Sequence, residues 1–376
     1  MDAILGASVA SLAMYAALKW QTSDKDKIRH TFRNLNYKVN DREPRLIKTR
    51  KTYDYTLYKY HVPYGLVDEE KLNVLEKVLN KPVEVFFKEG KLNIKVYHQG
   101  LPERVFYDWI PTNKWTVPIG QTLDGMIYQD FDKIPHMTIA GMTRQGKTVL
   151  LKLIFAHLIN SHPNDAEFTI IDLKGGLEFN RYSNLKQVKT MTGNVSEAYT
   201  ALTLLLNEMK GDLSRFKNKG YTNVLDTSIK TRKFIIVDEG AELTPPPFFN
   251  KDEKRTYLYC QYALAEIARI GGALGYRLIF ATQYPTADTL PRQIKQNADV
   301  KISFRLPTEI ASRVAIDENG AEKLGVVGRA IHRTADKNIV QVPYVTDKEI
   351  MERLGRYAES NRQEKSPSRE NYVDLG

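Results

Sequence analysis

The chain has 376 residues, of which 42% are hydrophobic and 27% charged, enough apolar sequence for two or three cored domains and too much for a disordered chain. Its formal net charge of +10 points to an anionic partner such as nucleic acid or a membrane surface. The single cysteine, Cys260, excludes an intrachain disulfide and fits a reducing compartment.

In chain order, Ala3 to Leu18 is an uncharged run followed by Lys19 and Trp20. It is slightly short of a standard span, but a lysine can snorkel and a tryptophan favours the interface. With no basic region before it, the run reads as a membrane anchor over residues 1–20 rather than a cleaved signal peptide. The excess positive charge comes next: between Gln21 and Tyr60 there are eleven Lys or Arg against five Asp or Glu. Residues 21–52 read as a basic linker, and positive charge after the anchor would keep the rest of the chain in the cytoplasm.

From Tyr53 to Val62 (YDYTLYKYHV) aromatic and β-branched residues alternate with polar ones, as in a strand. Val67 to Asn80 carries Leu72, Leu75 and Leu79 at helical spacing. VEVFF and KLNIKVYH then read as two strands around Lys88-Glu89-Gly90-Lys91. Residues 53–110 therefore form a small α/β module. It contains no catalytic constellation, and an assembly or packing role is expected.

A larger unit, residues 111–347, opens near WTVPIGQTLDG. HMTIA is a short apolar strand that runs into GMTRQGKT and then the helical TVLLKLIFAHLI. Further strands are expected at EFTIIDL, KFIIVDE, RLIFAT and KISFR. Helical stretches separate them, and two of the four are near-continuous apolar runs, the pattern of a buried parallel sheet in a doubly wound fold. Cys260 falls in YLYCQYALAEIARI, a helix, as a small packed side chain. Residues 348–376 read as a polar, basic tail whose last stretch is disordered.

GMTRQGKT, Gly141 to Thr148, matches G-x-x-x-x-G-K-[ST], and strand, glycine loop and helix supply the context this phosphate-cradling loop requires. Backbone N–H groups of Gly141, Met142, Thr143, Arg144, Gln145 and Gly146, with the helix start, suit a polyanion. Lys147 would reach the β- and γ-phosphates of ATP, and Thr148 would ligate Mg²⁺. The acid such a site needs ends the apolar strand FIIVDE: Asp238 for Mg²⁺, held through water, and Glu239 to orient and deprotonate an attacking water. Gln283, ending IFATQ, is placed to sense the γ-phosphate. Asp172 and Lys174 end a third strand on the same sheet edge, their roles left open.

IIDLKGGLEF, FIIVDEGAEL, LGYRLIFATQYP and above all SRVAIDENGAEKLG (Ser312 to Gly325) resemble the motor core of the FtsK/SpoIIIE DNA translocases over roughly Trp115 to Val345. The preceding small module and short anchor are more similar to membrane-bound coupling ATPases of Gram-positive conjugative elements. The resemblance implies a RecA-like α/β P-loop motor that hydrolyses ATP with Mg²⁺, assembles as a homo-hexamer around double-stranded DNA and pumps it without regard to sequence. A coupling role would add a relaxase and secretion-channel proteins as partners. The family also includes segregation pumps for plasmid or chromosome DNA and ATPases that drive protein secretion. A nucleotide-binding clamp is disfavoured by the water-activating acid, and a P-loop kinase by the Ser312-Arg313 motif. The chain departs from the family pattern at the bulky Thr143, Arg144 and Gln145, and at Gly272, where the family has an arginine. Arg313, then Arg269, becomes the candidate for the arginine that acts across a subunit interface. Little chain follows Val345, so an orientation-reading winged helix is not expected in it.

Overall fold

The computed structural model describes residues 23–66, 68 and 70–358, which divide into two units after Leu101. The Ala3–Leu18 anchor expectation lies outside the described residues, and no helix among the described residues is long and apolar enough to cross a membrane.

In the first unit, helix α1 (Asp24–Asn34) starts where the Ser23 hydroxyl accepts the Asp26 N–H, with two aspartates in its first turn favouring the positive helix end. An antiparallel sheet follows in the order β1 (Arg45–Lys51), β2 (Tyr55–His61), β4 (Lys91–Tyr97), β3 (Val83–Lys88). Between β2 and β3, helix α2 (Val74–Leu79) is terminated by Asn80 in the left-handed region, φ 50°. Ile28 and Phe32 of α1 and Leu75 of α2 pack against Tyr58, Tyr60, Ile94 and Val96 of the sheet. The expected basic linker at 21–52 is therefore corrected: it contributes a helix and an edge strand. Its apolar residues sit one helical turn apart, and the charges on the solvent side outnumber and mask them.

The second unit contains a ten-stranded sheet, in the order β10 (Val188–Thr192), β9 (Ala166–Asp172), β11 (Arg232–Asp238), β12 (Tyr276–Thr282), β8 (Met137–Ala140), β13 (Val300–Phe304), β14 (Arg329–Arg333), β15 (Lys337–Gln341), β6 (Thr116–Thr122), β7 (Gly125–Asp130). From β10 to β13 neighbours run parallel; from β13 to β7 they are antiparallel. A further two-residue strand, β5 (Val105–Phe106), pairs with β16 (Pro343–Tyr344). Residues 102–110 thus belong with this unit and not with the module expected to end at 110.

Helix α3 (Lys147–Ser161) covers one face of the sheet. Its Leu150, Leu151, Ile154 and Phe155 are fully buried with Ile139, Ile170 and Phe234. On the other face, α4 (Val195–Lys219) and α5 (Lys251–Ile270) bring Leu202, Met209, Leu264 and Ile267 against Ile235, Leu278 and Phe280. Each such side chain contributes about 1.5–3 kcal/mol relative to exposure. Cys260 is packed in this second layer, where burial raises its thiol pKa to about 11. Three shorter helices complete the unit: α6 (Arg292–Asn297), α7 (Glu309–Ile316) and α8 (Asp347–Leu354).

The expected tail is folded over residues 348–358, and the stretch expected to be disordered, 359–376, lies outside the described residues. α8 begins at a Thr346–Glu349 capping box, buries Ile350 and Leu354, and is followed by a bridge between Ala358 and Leu185. The polar composition of 348–358 hid this, because only two of its residues face the core.

The chain leaves β8 and returns at β9, with β12 and β11 between them, while β13 lies on β8's other side. This is a topological switch point, where a crevice opens beyond the carboxyl ends of parallel strands.

Candidate active site

Beyond β8 the backbone turns through Gly141–Gly146 into α3. Gly146 has φ +116°, and a Cβ there would stand 2.9 Å from the Phe304 ring. A glycine is needed for both the angle and the approach. The first N–H groups of α3 have no carbonyl one turn earlier, so they present an array of donors to an anion. This loop forms one wall of a cavity of about 1010 Å³. Met142, Thr143, Arg144, Gly146, Lys147 and Thr148 line it. Gly141 and Gln145 serve the loop itself: the Gly141 N–H donates to the Thr282 carbonyl, and the Gln145 carbonyl accepts the Gly328 N–H.

The acids come from β11. Asp238 ends the strand fully buried, and Glu239 follows in the left-handed region at φ 62°. Such a non-glycine conformation costs about 1–3 kcal/mol and persists only where its surroundings impose it. Here Gly240 imposes it, packed so closely on Phe280 that a Cβ would lie 2.1 Å from the ring. Lys147 Nζ donates to Asp238 Oδ1 and lies 3.7 Å from Glu239 Oε2. The other Glu239 oxygen accepts the Gln283 N–H at 3.0 Å. The Gln283 side-chain oxygen in turn accepts the Thr143 hydroxyl at 2.9 Å. Gln283 therefore joins the glycine loop to the acid.

Asp172 and Lys174, left open by the sequence, have distinct places. Asp172 is paired in register with Asp238 and accepts N–H groups of Lys174, Glu178 and Phe179, which closes the loop after β9. Burial, with the Asp238 charge adding to it, raises the Asp172 pKa above the usual carboxylate range. The closed loop carries Lys174 Nζ to 3.3 Å from Glu239 Oε2.

The opposite wall was not anticipated. Lys152 bonds Glu178 at 2.9 Å and Asp347 at 3.0 Å, and Tyr182 donates to Asp347 at 2.6 Å. Burial favours the neutral form of Asp347, but the hydrogen bonds from Tyr182 and Lys152 and the charges of Lys152 and Arg181 outweigh it and lower its pKa. The capping box at Thr346 was legible as T-x-x-E. Its arrival at the cavity depends on the antiparallel half of the sheet, which no motif announces.

Arg313 and Arg269 do not line the cavity. Both are exposed and paired along their own helices, Arg313 with Glu309 at 2.5 Å and Arg269 with Glu266 at 2.6 Å.

The residues fit a magnesium nucleotide. Asp238 Oδ2 is buried without a hydrogen-bond partner among the described residues, and the Thr148 side chain lines the cavity. Oxygen donors of this kind suit a hard cation. No cluster of three or more His, Cys, Asp or Glu that could hold a metal occurs among the described residues. That matches an ion held by one or two protein oxygens and by substrate phosphates.

A family model for FtsK/SpoIIIE matches residues 108–243, the stretch that contains the glycine loop, Asp238 and Glu239. The match covers about a third of the chain. The DNA translocase FtsK of Streptococcus pneumoniae is 27% identical over 247 residues, covering 62% of this chain and 32% of its own length. The chain thus spans about a third of the curated relatives it matches. Among solved structures, the chain resembles the pCW3 conjugation coupling protein TcpA with ATPγS. That match has 23% identity and a TM-score of 0.65, and covers 89% of this chain and 99% of that one. The chain also resembles ATPases 2 and 3 of EssC from Geobacillus thermodenitrificans, at 15% identity and a TM-score of 0.59, covering 69% of this chain and 51% of that one. These structural likenesses establish a shared fold.

Proposed function

We propose that this chain is an ATP-driven translocase of double-stranded DNA, a coupling ATPase that delivers plasmid or mobile-element DNA to a transfer channel. The observation that carries the reading is Glu239: a carboxylate held in a costly backbone conformation, bonded to Gln283 and set beside the Lys147–Asp238 pair. A site built only to hold nucleotide needs no such acid. The FtsK/SpoIIIE match supports DNA as the substrate of the motion.

The loop N–H groups and Lys147 bind the phosphates of ATP. Thr148 and Asp238 would hold Mg²⁺, which would supply neutralisation of the phosphate charge. Glu239 orients the attacking water and accepts its proton. Gln283 links phosphate-loop Thr143 to that base and reports whether the γ-phosphate is present. The products are ADP and phosphate.

Arg313 reaches the phosphates of a neighbouring subunit in a homo-hexamer, with Arg269 the next candidate. Grip on DNA through the backbone is sequence-independent, as a motor that moves over any sequence requires. The uncharged Ala3–Leu18 run supports a membrane anchor with the motor on the cytoplasmic side, and a relaxase and channel proteins as partners. Without the anchor the motor would work free in the cytoplasm.

ATP hydrolysis measured without DNA, with single-stranded DNA and with duplex tests the reading. Duplex is expected to stimulate turnover most. Turnover indifferent to DNA would overturn it in favour of a protein-secretion ATPase or a scaffold.

A further inference from the structure

The module's sheet has one face under helices and one without them. Register assigns the second face: residues directly opposite one another across the strands share it, in rows such as Lys48–Lys59–Asn93–Phe86 and Arg50–Leu57–Lys95–Glu84. Of its fourteen positions, seven are Lys or Arg and one, Glu84, is acidic. Lys95 answers Glu84 at 3.5 Å and lies over the rings of Tyr55 and Tyr97. Lys59 meets Glu89 at 3.4 Å. The remaining five, Arg45, Lys48, Arg50, Lys88 and Lys91, form no ion pair among the described residues.

Same-face neighbours lie ~5 Å apart across strands and ~6.7 Å along them. Packing like charges this closely destabilises a sheet unless something compensates. Protection of the two edges needs charge only on β1 and β3, yet here it continues across the central strands, through Lys59 of β2 and Lys91 and Lys95 of β4. The pattern is therefore in excess of what the fold requires, and a polyanion is the compensating partner.

We propose that this open face is a second DNA-binding surface, separate from the motor, which contacts the phosphate backbone of the duplex being moved. The proposal rests on the translocase reading for the identity of the polyanion. The face's own chemistry favours a nucleic acid over a lipid surface. Tyr55, Leu57 and Phe86 are half-buried among the cations, and of the apolar residues on these four strands only Ile47, at the bulge of β1, is exposed, a small surface to enter acyl chains. Backbone contact of this kind is salt-sensitive and blind to sequence.

The test uses the full chain with Lys48→Glu, Arg50→Glu and Lys91→Glu combined. A charge-matched control, Lys25→Glu, Arg29→Glu and Lys77→Glu, places the same change on the helices over the opposite face. Binding to a fluorescent mixed-sequence duplex is read by anisotropy over a salt series, beside sedimentation with phosphatidylserine vesicles. Hydrolysis without DNA is expected to be equal in all three proteins, which also checks that the motor is folded. The face variant is expected to bind duplex at least about tenfold more weakly than the control. Its salt slope should fall by roughly 0.9 for each lost phosphate contact. If wild type binds duplex and the face variant matches the control, the inference is overturned while the translocase reading stands. If the face variant loses vesicle binding and keeps duplex binding, the surface belongs to a membrane and the inference is again overturned. If wild type binds no DNA, both readings fail.

Discussion

The chain builds two sheets that divide the work by what each buries. In the second unit the parallel half is covered on both faces, and its chemistry is confined to strand ends, where Lys147, Asp238, Glu239 and Gln283 converge within a few ångströms. In the first unit helices cover one face only, and the charge is spread over the other. Enclosure on both sides gives a rigid frame that can hold strained and unpaired polar groups against their cost. A one-sided sheet can offer area but not enclosure. Enclosure on both sides thus suits a converged site, and a one-sided sheet suits broad contact.

The largest effect that would sharpen this division comes from Arg313. Arg313→Ala is expected to lower turnover by about 10³ or more, the scale of a trans-acting arginine. The Lys147→Ala protein is expected to be inactive as well. Mixing the two should restore part of the activity, because some interfaces then pair an intact loop with an intact arginine. Sizing by light scattering must find both variants assembled. A mixture that stays inactive although assembled passes the role to Arg269.

Acid should unfold the second unit through its buried histidines. Burial lowers His136 to about 3, with the Arg277 charge adding to it, and lowers His157 and His332 to about 4. The folded values lie below the ordinary value of about 6.5, so the unfolded chain takes up protons first as pH falls. Stability is full above about pH 6.5 and declines toward pH 4 by about 1.4 kcal/mol per unit for each histidine, roughly 4 kcal/mol per unit together. Asp172, whose pKa burial raises, acts with the opposite sign near the carboxylate range and offsets a little of this. Urea unfolding at pH 7, 6 and 5 checks it. His332, with both ring nitrogens buried and unpartnered among the described residues, supplies the control: His332→Leu should remove about a third of the slope. Equal stability at pH 7 and 5 would break the contrast drawn from enclosure.

Glu239→Gln keeps the shape and removes the base. Turnover should fall by about 10², with ATP affinity, read by a fluorescent analogue, nearly unchanged. Near-normal turnover would show that another group accepts the proton.

Five of the six parallel strands of the larger sheet were legible because they are largely apolar runs of four to seven residues, as in FIIVDE and IFATQ, whereas β10, VKTMT, is mixed in polarity and was missed. The antiparallel half was not legible: GMIYQD, RAIHR and KNIVQ are short, mixed in polarity and covered only in part. The same limit hid α1 and α8, whose buried faces are two or three residues wide within charged segments. At the site, the loop and acids could be read from local motifs. The contact between Lys174 and Glu239 and the wall around Asp347 join residues that only the sheet order brings together. Arg313 and Arg269 pair along their own helices, and neither lines the cavity of its own chain.

The central claim is that hydrolysis at Glu239 moves the chain along duplex DNA. It is tested most directly by displacement of a third strand from a triplex placed far from a duplex end, followed over time with the full chain and ATP. The account predicts displacement that requires ATP, is lost in Glu239→Gln and is delayed in proportion to the length of duplex before the triplex. DNA-stimulated hydrolysis with the triplex left intact would contradict it.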